Sequence, residues 1–197
     1  MSRKVRIGVF GANRGSAMID YCMKMENAQL VAVCDRNEWL LEKVKKRCKD
    51  TSVIYYTDFD EFIKQDMDAV VLANYATEHA PFAIRCLKRG LHVYSEALPC
   101  QTMKEAVELI EAVEETEKIY AYGENYCYTP AAKEMRKLFM ENQLGEFEYG
   151  EGEYMYNREE EWHSLTYGDP NHWRNNMYAH YDCTHTIGPM IHISRMR

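Results

Sequence analysis

Apolar and polar positions along this chain fall into blocks, alternately strand-like and helix-like. Lys4–Phe10 is β-branched and apolar, the pattern of a buried parallel strand. Gly11–Gly15 turns the chain, and Ser16–Met25 has helical spacing. Gln29–Cys34 predicts a second strand, and Glu38–Cys48 a helix with Leu41 and Val44 on its inner face. Val53–Tyr56 predicts a short strand. Asp58, with Glu61 three residues on, predicts a capped short helix. Asp68–Asn74 reads as a strand, Thr77–Arg89 as a helix stopped by Gly90, and Leu91–Tyr94 as a strand. Thr102 and Glu105 form a capping box for a helix to Glu117, with Ala106, Ile110 and Val113 on one face. Lys118–Tyr122 predicts one more strand. Strands alternating with helices of this length predict an α/β domain over residues 1–123, built on a doubly wound parallel sheet.

The pattern changes after Gly123. Pro130–Asn142 reads as a helix, with Met135, Leu138 and Phe139 as core candidates. Glu146–Tyr156 is a long extended run rich in Tyr and Glu, and Arg158–Asn176 has no clear period. Asp182–Arg197 predicts a helix with Pro189 inside it or near its first turn. Residues 124–197 are therefore expected to be an incomplete α+β second domain. A single strand leaves backbone groups unpaired, and Ile187, Met190, Ile191 and Ile193 need a sheet to cover them. The expectation is a truncated domain, poorly ordered or buried against another copy, and hence a homo-oligomer. There is no internal repeat, low-complexity segment or long linker.

Composition narrows the class. The 197 residues carry a net charge of −7 without a basic block, which argues against nucleic acid and anionic membrane as partners. Seven cysteines, an odd number and without a Cys-x-x-Cys pair, fit reduced thiols in a cytoplasmic protein. The first strand begins at once, so no signal peptide is expected, and no apolar run approaches membrane-spanning length.

The candidate chemistry begins at the first turn. A Gly-rich turn between a strand and a helix N-terminus presents N–H groups and a favourable dipole to phosphate. Asp35 lies 20 residues beyond Gly15, where an acid meets an adenosine ribose in a dinucleotide fold. The plain alternative is a tight turn in another doubly wound protein. A rival function is an S-adenosylmethionine methyltransferase, which also uses a Gly-rich first turn and an acid after the second strand.

In order, these segments resemble the Gfo/Idh/MocA oxidoreductases. Ile7–Gly15 resembles the nucleotide loop, and Val31–Arg36 the second strand with its ribose-binding acid. Asp68–Asn74 with His79 resembles the fourth strand and the turn beside the pyrophosphate. Gly90–Glu96 resembles the run into the family's Glu-Lys-Pro motif. The resemblance implies a Rossmann domain, NAD as cofactor and a sugar or polyol substrate. It places Gly11, Ala12, Asn13, Arg14 and Gly15 at the pyrophosphate and Asp35 and Arg36 at the ribose. Asn74, His79, Glu96 and Asn125 complete the cofactor side. Two departures stand out. The loop is one residue shorter than Gly-x-Gly-x-x-Gly, with Asn13 near the second glycine. Ala97 replaces the lysine that reaches the reacting hydroxyl in the family.

Glu124–Tyr128 and Asp182–Pro189 resemble the family's NAD-dependent glycosidase branch, which also lacks that lysine. This implies transient oxidation of a sugar hydroxyl, elimination of the glycosidic group, and reversal. A simple dehydrogenase and a non-catalytic NAD sensor or scaffold remain alternatives. On the substrate side the resemblance offers His185 as base, Tyr128 as base or orienting hydroxyl, and Asp182, one residue off the usual family acid. Each has an ordinary structural alternative, as do Glu96 and Asn125, which suit loop capping. Asp35 favours NAD over NADP by repelling a 2′-phosphate, whereas Arg36 suits either that phosphate or adenine stacking. His180, Asp182 and His185 have loose metal-ligand spacing without an obvious fourth ligand, so no metal is expected. Trp162, Trp173 and Arg174 suit either a sugar platform or packing on a sheet.

Overall fold

The computed structural model describes residues 3–177 and 181–196; His180 lies outside them. The chain divides into two compact units, Met1–Gly123 and Glu124–Arg197.

The first unit is a six-stranded parallel sheet. β1 (Val5–Phe10), β2 (Ala28–Cys34), β3 (Ile54–Tyr56), β4 (Ala69–Leu72), β5 (His92–Ser95) and β6 (Tyr120–Tyr122) lie in the order β3-β2-β1-β4-β5-β6. The order reverses between β1 and β4, which pair as Ile7 with Ala69 through Phe10 with Leu72. Open α/β sheets bind ligands at such a switch point, outside the carboxyl ends of the strands.

Neighbouring strand residues point to opposite faces, and both faces are covered. Val9, Val33 and Val71 join Ile19 of α1 (Ser16–Lys24) and Leu40, Leu41 and Val44 of α2 (Glu38–Arg47) in one core. Phe10, Ala32, Val70 and Leu72 form the other core, with Phe59 and Phe62 of α3 (Phe59–Phe62). Ala83, Cys86 and Leu87 of α4 (His79–Lys88) and Leu109 and Ala112 of α5 (Met103–Thr116) complete it. The caps read from the sequence are present. The Asp58 side chain accepts from the Asp60 and Glu61 N–H groups, and Thr102 with Glu105 makes a reciprocal capping box. Gly90, at φ +88°, follows α4.

One face assignment is corrected. Ile110 is 58% exposed, whereas Leu109 and Ala112 are buried. Ala106, Ile110 and Val113 do share a stripe, but α5 packs along an arc rotated away from Ile110.

In the second unit, the α-helices among the described residues are α6 (Pro130–Met140), α7 (Trp162–Leu165) and α8 (Thr184–Ser194). Thr129 caps α6, with Pro130 in its first turn, and Pro189 sits inside α8. The expected strand over 146–156 does not form: among the described residues it pairs with no other strand, and a lone strand has no ladder to join. Met135 is exposed, and Ala132 is the buried residue of α6.

Candidate functional site

Gly11 makes the first turn possible. Its φ is +101°, and a Cβ there would collide with the Ala73 carbonyl and lie 2.5 Å from the Asn74 nitrogen. The ends of β1 and β4 therefore approach as closely as a bare glycine permits. Gly15 starts α1, and a Cβ there would lie 2.6 Å from Val9 Cγ1, so this glycine lets the helix rest on its strand. Asn13 and Arg14 are exposed on the loop, at the N-terminal end of a nine-residue helix whose first turn holds no acid. That is the electrostatic arrangement an anion needs.

Asp35 is only 8% exposed and is built into the same turn. The Ala12 N–H donates to Asp35 Oδ2 at 2.7 Å, and the Asn37 N–H donates to Oδ1 at 2.9 Å. Two backbone donors fix the carboxylate, and each oxygen keeps a lone pair for a ribose hydroxyl. Asp35, Arg36, Gly11, Asn74, Tyr75 and Glu78 line an open cleft of about 300 Å³ at the switch point. Asn74 Oδ1 is buried without a hydrogen-bond partner beside this cleft. A bare-glycine turn, an anchored acid and an unpaired polar atom on the wall all fit a nucleotide.

Three further candidates have partners within the protein. His79 is 1% exposed, its Nδ1 2.8 Å from the Leu98 carbonyl and its Nε2 3.3 Å from the Asn74 carbonyl. Burial pushes its pKa below the ordinary histidine value. The neutral ring donates from Nδ1 and ties the turn after β4 to the turn after β5. Its described contacts are to backbone carbonyls of those turns. Arg14 Nη2 donates to Glu96 Oε2 at 3.0 Å, so these two predicted cofactor residues partner each other.

The second unit brings together a group that the sequence reading covers only in part. Glu124, 6% exposed, faces His185. His185 Nδ1 lies 2.8 and 2.9 Å from the two Glu124 oxygens. A carboxylate partner places the proton on Nδ1 and leaves the Nε2 lone pair as acceptor. The Tyr126 N–H donates to Glu124 Oε1 at 2.9 Å, so the acid is itself fixed. The Tyr126 and Tyr154 rings each pack with centroids 4.6 Å from the His185 ring. Tyr126 Oη lies 3.3 Å from Tyr156 Oη. Burial and these phenol contacts raise the Tyr154 pKa, while hydrogen bonds from Tyr126 and Tyr154 lower that of Tyr156.

Tyr128 lies apart from this cluster: it is 60% exposed, with its ring against His192. Asn125 is exposed, and its carbonyl accepts the Tyr128 N–H. Asp182 accepts the His185 N–H through its backbone carbonyl, at the start of α8. Trp162 donates to the Asn175 side chain, and Arg174 stacks on Trp173, 4.5 Å from the ring centroid. No three metal-ligating side chains cluster among the described residues. Glu124 and Glu78 carry no role in the sequence reading. The signal for Glu124 is its place in the quoted run Glu124–Tyr128; for Glu78 no local signal exists.

A parallel sheet ordered 3-2-1-4-5-6, with an anchored acid after β2, defines a dinucleotide-binding Rossmann domain. Residues 5–124 match the model of the oxidoreductase family with an NAD-binding Rossmann fold, Gfo/Idh/MocA, and the chain belongs to that family. It is 25% identical over 200 residues to a "Glycosyl hydrolase family 109 protein" of Shewanella amazonensis, covering 95% of this chain and 44% of that one. It is also 25% identical over 207 residues to an alpha-N-acetylgalactosaminidase of Bacteroides fragilis, covering 96% and 48%. The fold is similar to that of myo-inositol 2-dehydrogenase from Lactobacillus plantarum, with a TM-score of 0.68 at 20% identity over 73% of this chain and 43% of that one. It is likewise similar to the WlbA dehydrogenase from Chromobacterium violaceum in complex with NADH and UDP-GlcNAcA, with a TM-score of 0.67 at 20% identity over 74% and 42%. The chain spans less than half the length of each of these proteins. No described helix is long and apolar enough to cross a membrane.

Proposed function

We propose that this protein is an NAD-dependent oxidoreductase acting on a secondary hydroxyl of a sugar or polyol. In this reading residues 1–123 are the cofactor domain and 124–197 carry substrate-side chemistry and a dimerisation surface. The Glu124–His185 pair carries the reading. His185 Nε2 takes the hydroxyl proton, and Glu124 holds the ring in the required tautomer and stabilises the imidazolium that forms. Bound NAD⁺ would supply the acceptor for the hydride on the carbon that bears this hydroxyl, so that alcohol would become ketone. Asp35 takes the ribose, and the Gly11–Gly15 loop takes the pyrophosphate. Seven cysteines, all free thiols in the structure, support a cytoplasmic setting.

Ala97, in place of the family's lysine, and relatives named as glycosyl hydrolases favour a second reading, glycoside cleavage by oxidation and elimination. A panel of free sugars, polyols and aryl glycosides with NAD⁺ tests both. NADH formation from a free sugar supports dehydrogenation. Phenol release, with solvent deuterium entering beside the oxidised carbon, supports elimination. The 197-residue form is expected to turn over weakly or not at all; no turnover by a protein with a complete second domain overturns both and leaves an NAD sensor.

A further inference from the structure

We propose that Glu78 is a specificity determinant of the nucleotide site: it occupies the Arg36 guanidinium and, with Asp35, rejects a dinucleotide bearing a 2′-phosphate. This rests on the dinucleotide reading above.

Arg36 is the single basic side chain among the described residues lining the cleft, directly after the ribose acid. An arginine near this position is what accommodates a 2′-phosphate in NADP-binding Rossmann folds. Here one end of the Arg36 guanidinium is already engaged. Its Nη2 lies 3.0 Å from both Glu78 oxygens, and its guanidinium carbon lies 5.9 Å from the Tyr75 ring centre. Glu78 arrives from the 3-10 turn Ala76–Glu78 after β4, 42 residues along the chain. The charge at the ribose edge is therefore that of two carboxylates and one guanidinium, negative overall.

A 2′-phosphate adds between one and two further negative charges near pH 7. It would meet Asp35 and Glu78, with the Arg36 charge already offset by Glu78. A neutral 2′-hydroxyl meets no such penalty and donates to Asp35. Both partners of the pair are partly exposed, so the ion pair adds little to folding, and Glu78 can be changed without loss of the fold. Asp35 lacks that freedom, because it also holds the Ala12 and Asn37 N–H groups.

The test is calorimetric titration of the whole chain with NAD⁺ and NADP⁺, in wild type, Glu78→Gln, Arg36→Ala and the double variant. Wild type should prefer NAD⁺, and the preference should narrow with added salt, since it is electrostatic. Glu78→Gln should strengthen NADP⁺ binding by about tenfold or more, the scale of one freed charge-assisted contact. Its NAD⁺ affinity should change less than its NADP⁺ affinity, and the double variant should lose the gain. An unchanged NAD⁺/NADP⁺ ratio in Glu78→Gln that still binds NAD⁺ overturns the proposal. A gain that persists without Arg36 overturns the occupancy mechanism. If Glu78→Gln does not fold, a salt-independent preference in wild type overturns it equally. Failure of wild type to bind either dinucleotide removes the underlying reading instead.

Discussion

Glu124 and His185 stand 61 positions apart in sequence, yet both carboxylate oxygens of Glu124 reach His185 Nδ1 within 2.9 Å. The acid lies just after β6 and the histidine in the first turn of α8. Each is of modest interest alone; together they form a carboxylate–imidazole pair, the base in the function proposed above. Glu124→Gln should therefore lower kcat by about a hundredfold or more, with KM for NAD⁺ little changed, and Glu124→Asp should restore part of the loss. Equal effects on kcat and on NAD⁺ affinity would make Glu124 a folding residue instead.

His185→Ala should lower turnover by about a hundredfold to ten-thousandfold while NAD⁺ binding persists. In the Glu124→Gln/His185→Ala double variant the losses should not multiply, because the two residues act as one unit. Steady-state kinetics on the four proteins measures this directly. Unchanged turnover in a folded His185→Ala protein returns His185 to a structural role.

Gly11→Ala should destabilise the first unit by at least ~2 kcal/mol, since it combines a left-handed backbone with a collision against the Ala73 carbonyl. Denaturant melts read the stability, and calorimetry should show NAD⁺ binding lost in the folded fraction. A variant as stable as wild type would mean that the turn relaxes at no cost.

The neutral, buried His79 gives stability a pH dependence of known sign. Its folded pKa is depressed below the ordinary value of 6.5, so below that pH the unfolded chain binds the proton more readily. Stability is full above about pH 6.5 and is lost as pH falls from there toward the lower folded value. His79→Gln should flatten this slope between pH 7 and 5, as followed by urea midpoints. A slope identical to wild type would assign it to His172 or His192, whose pKa values burial also lowers.

Leu109→Ala should cost ~2–5 kcal/mol and Ile110→Ala within ~0.5, because only the first is packed in the core. Chemical denaturation of the two variants is enough to decide.

The sequence by itself determined the first unit. Apolar strands alternating with capped helices admit one economical solution, and β1, α5 and their boundaries follow from local pattern and capping chemistry. Gly11, Gly15 and Asp35 were legible for the same reason: their spacing is set by the strand–turn–helix unit that contains them. Burial was less legible. Ile110 and Leu109 are adjacent and equally apolar, and only the packing angle of α5 on the sheet separates them. Residues 146–156 have strand composition, but a strand exists only when another backbone pairs with it. His79 was placed with the cofactor by its position, whereas its two carbonyl neighbours come from turns that only the folded sheet brings together. Tertiary structure alone decided the pairs Arg36–Glu78, Arg14–Glu96 and Glu124–His185. Each joins residues 42 to 82 positions apart, and the charge on one side chain carries no information about which distant partner the fold will bring to it.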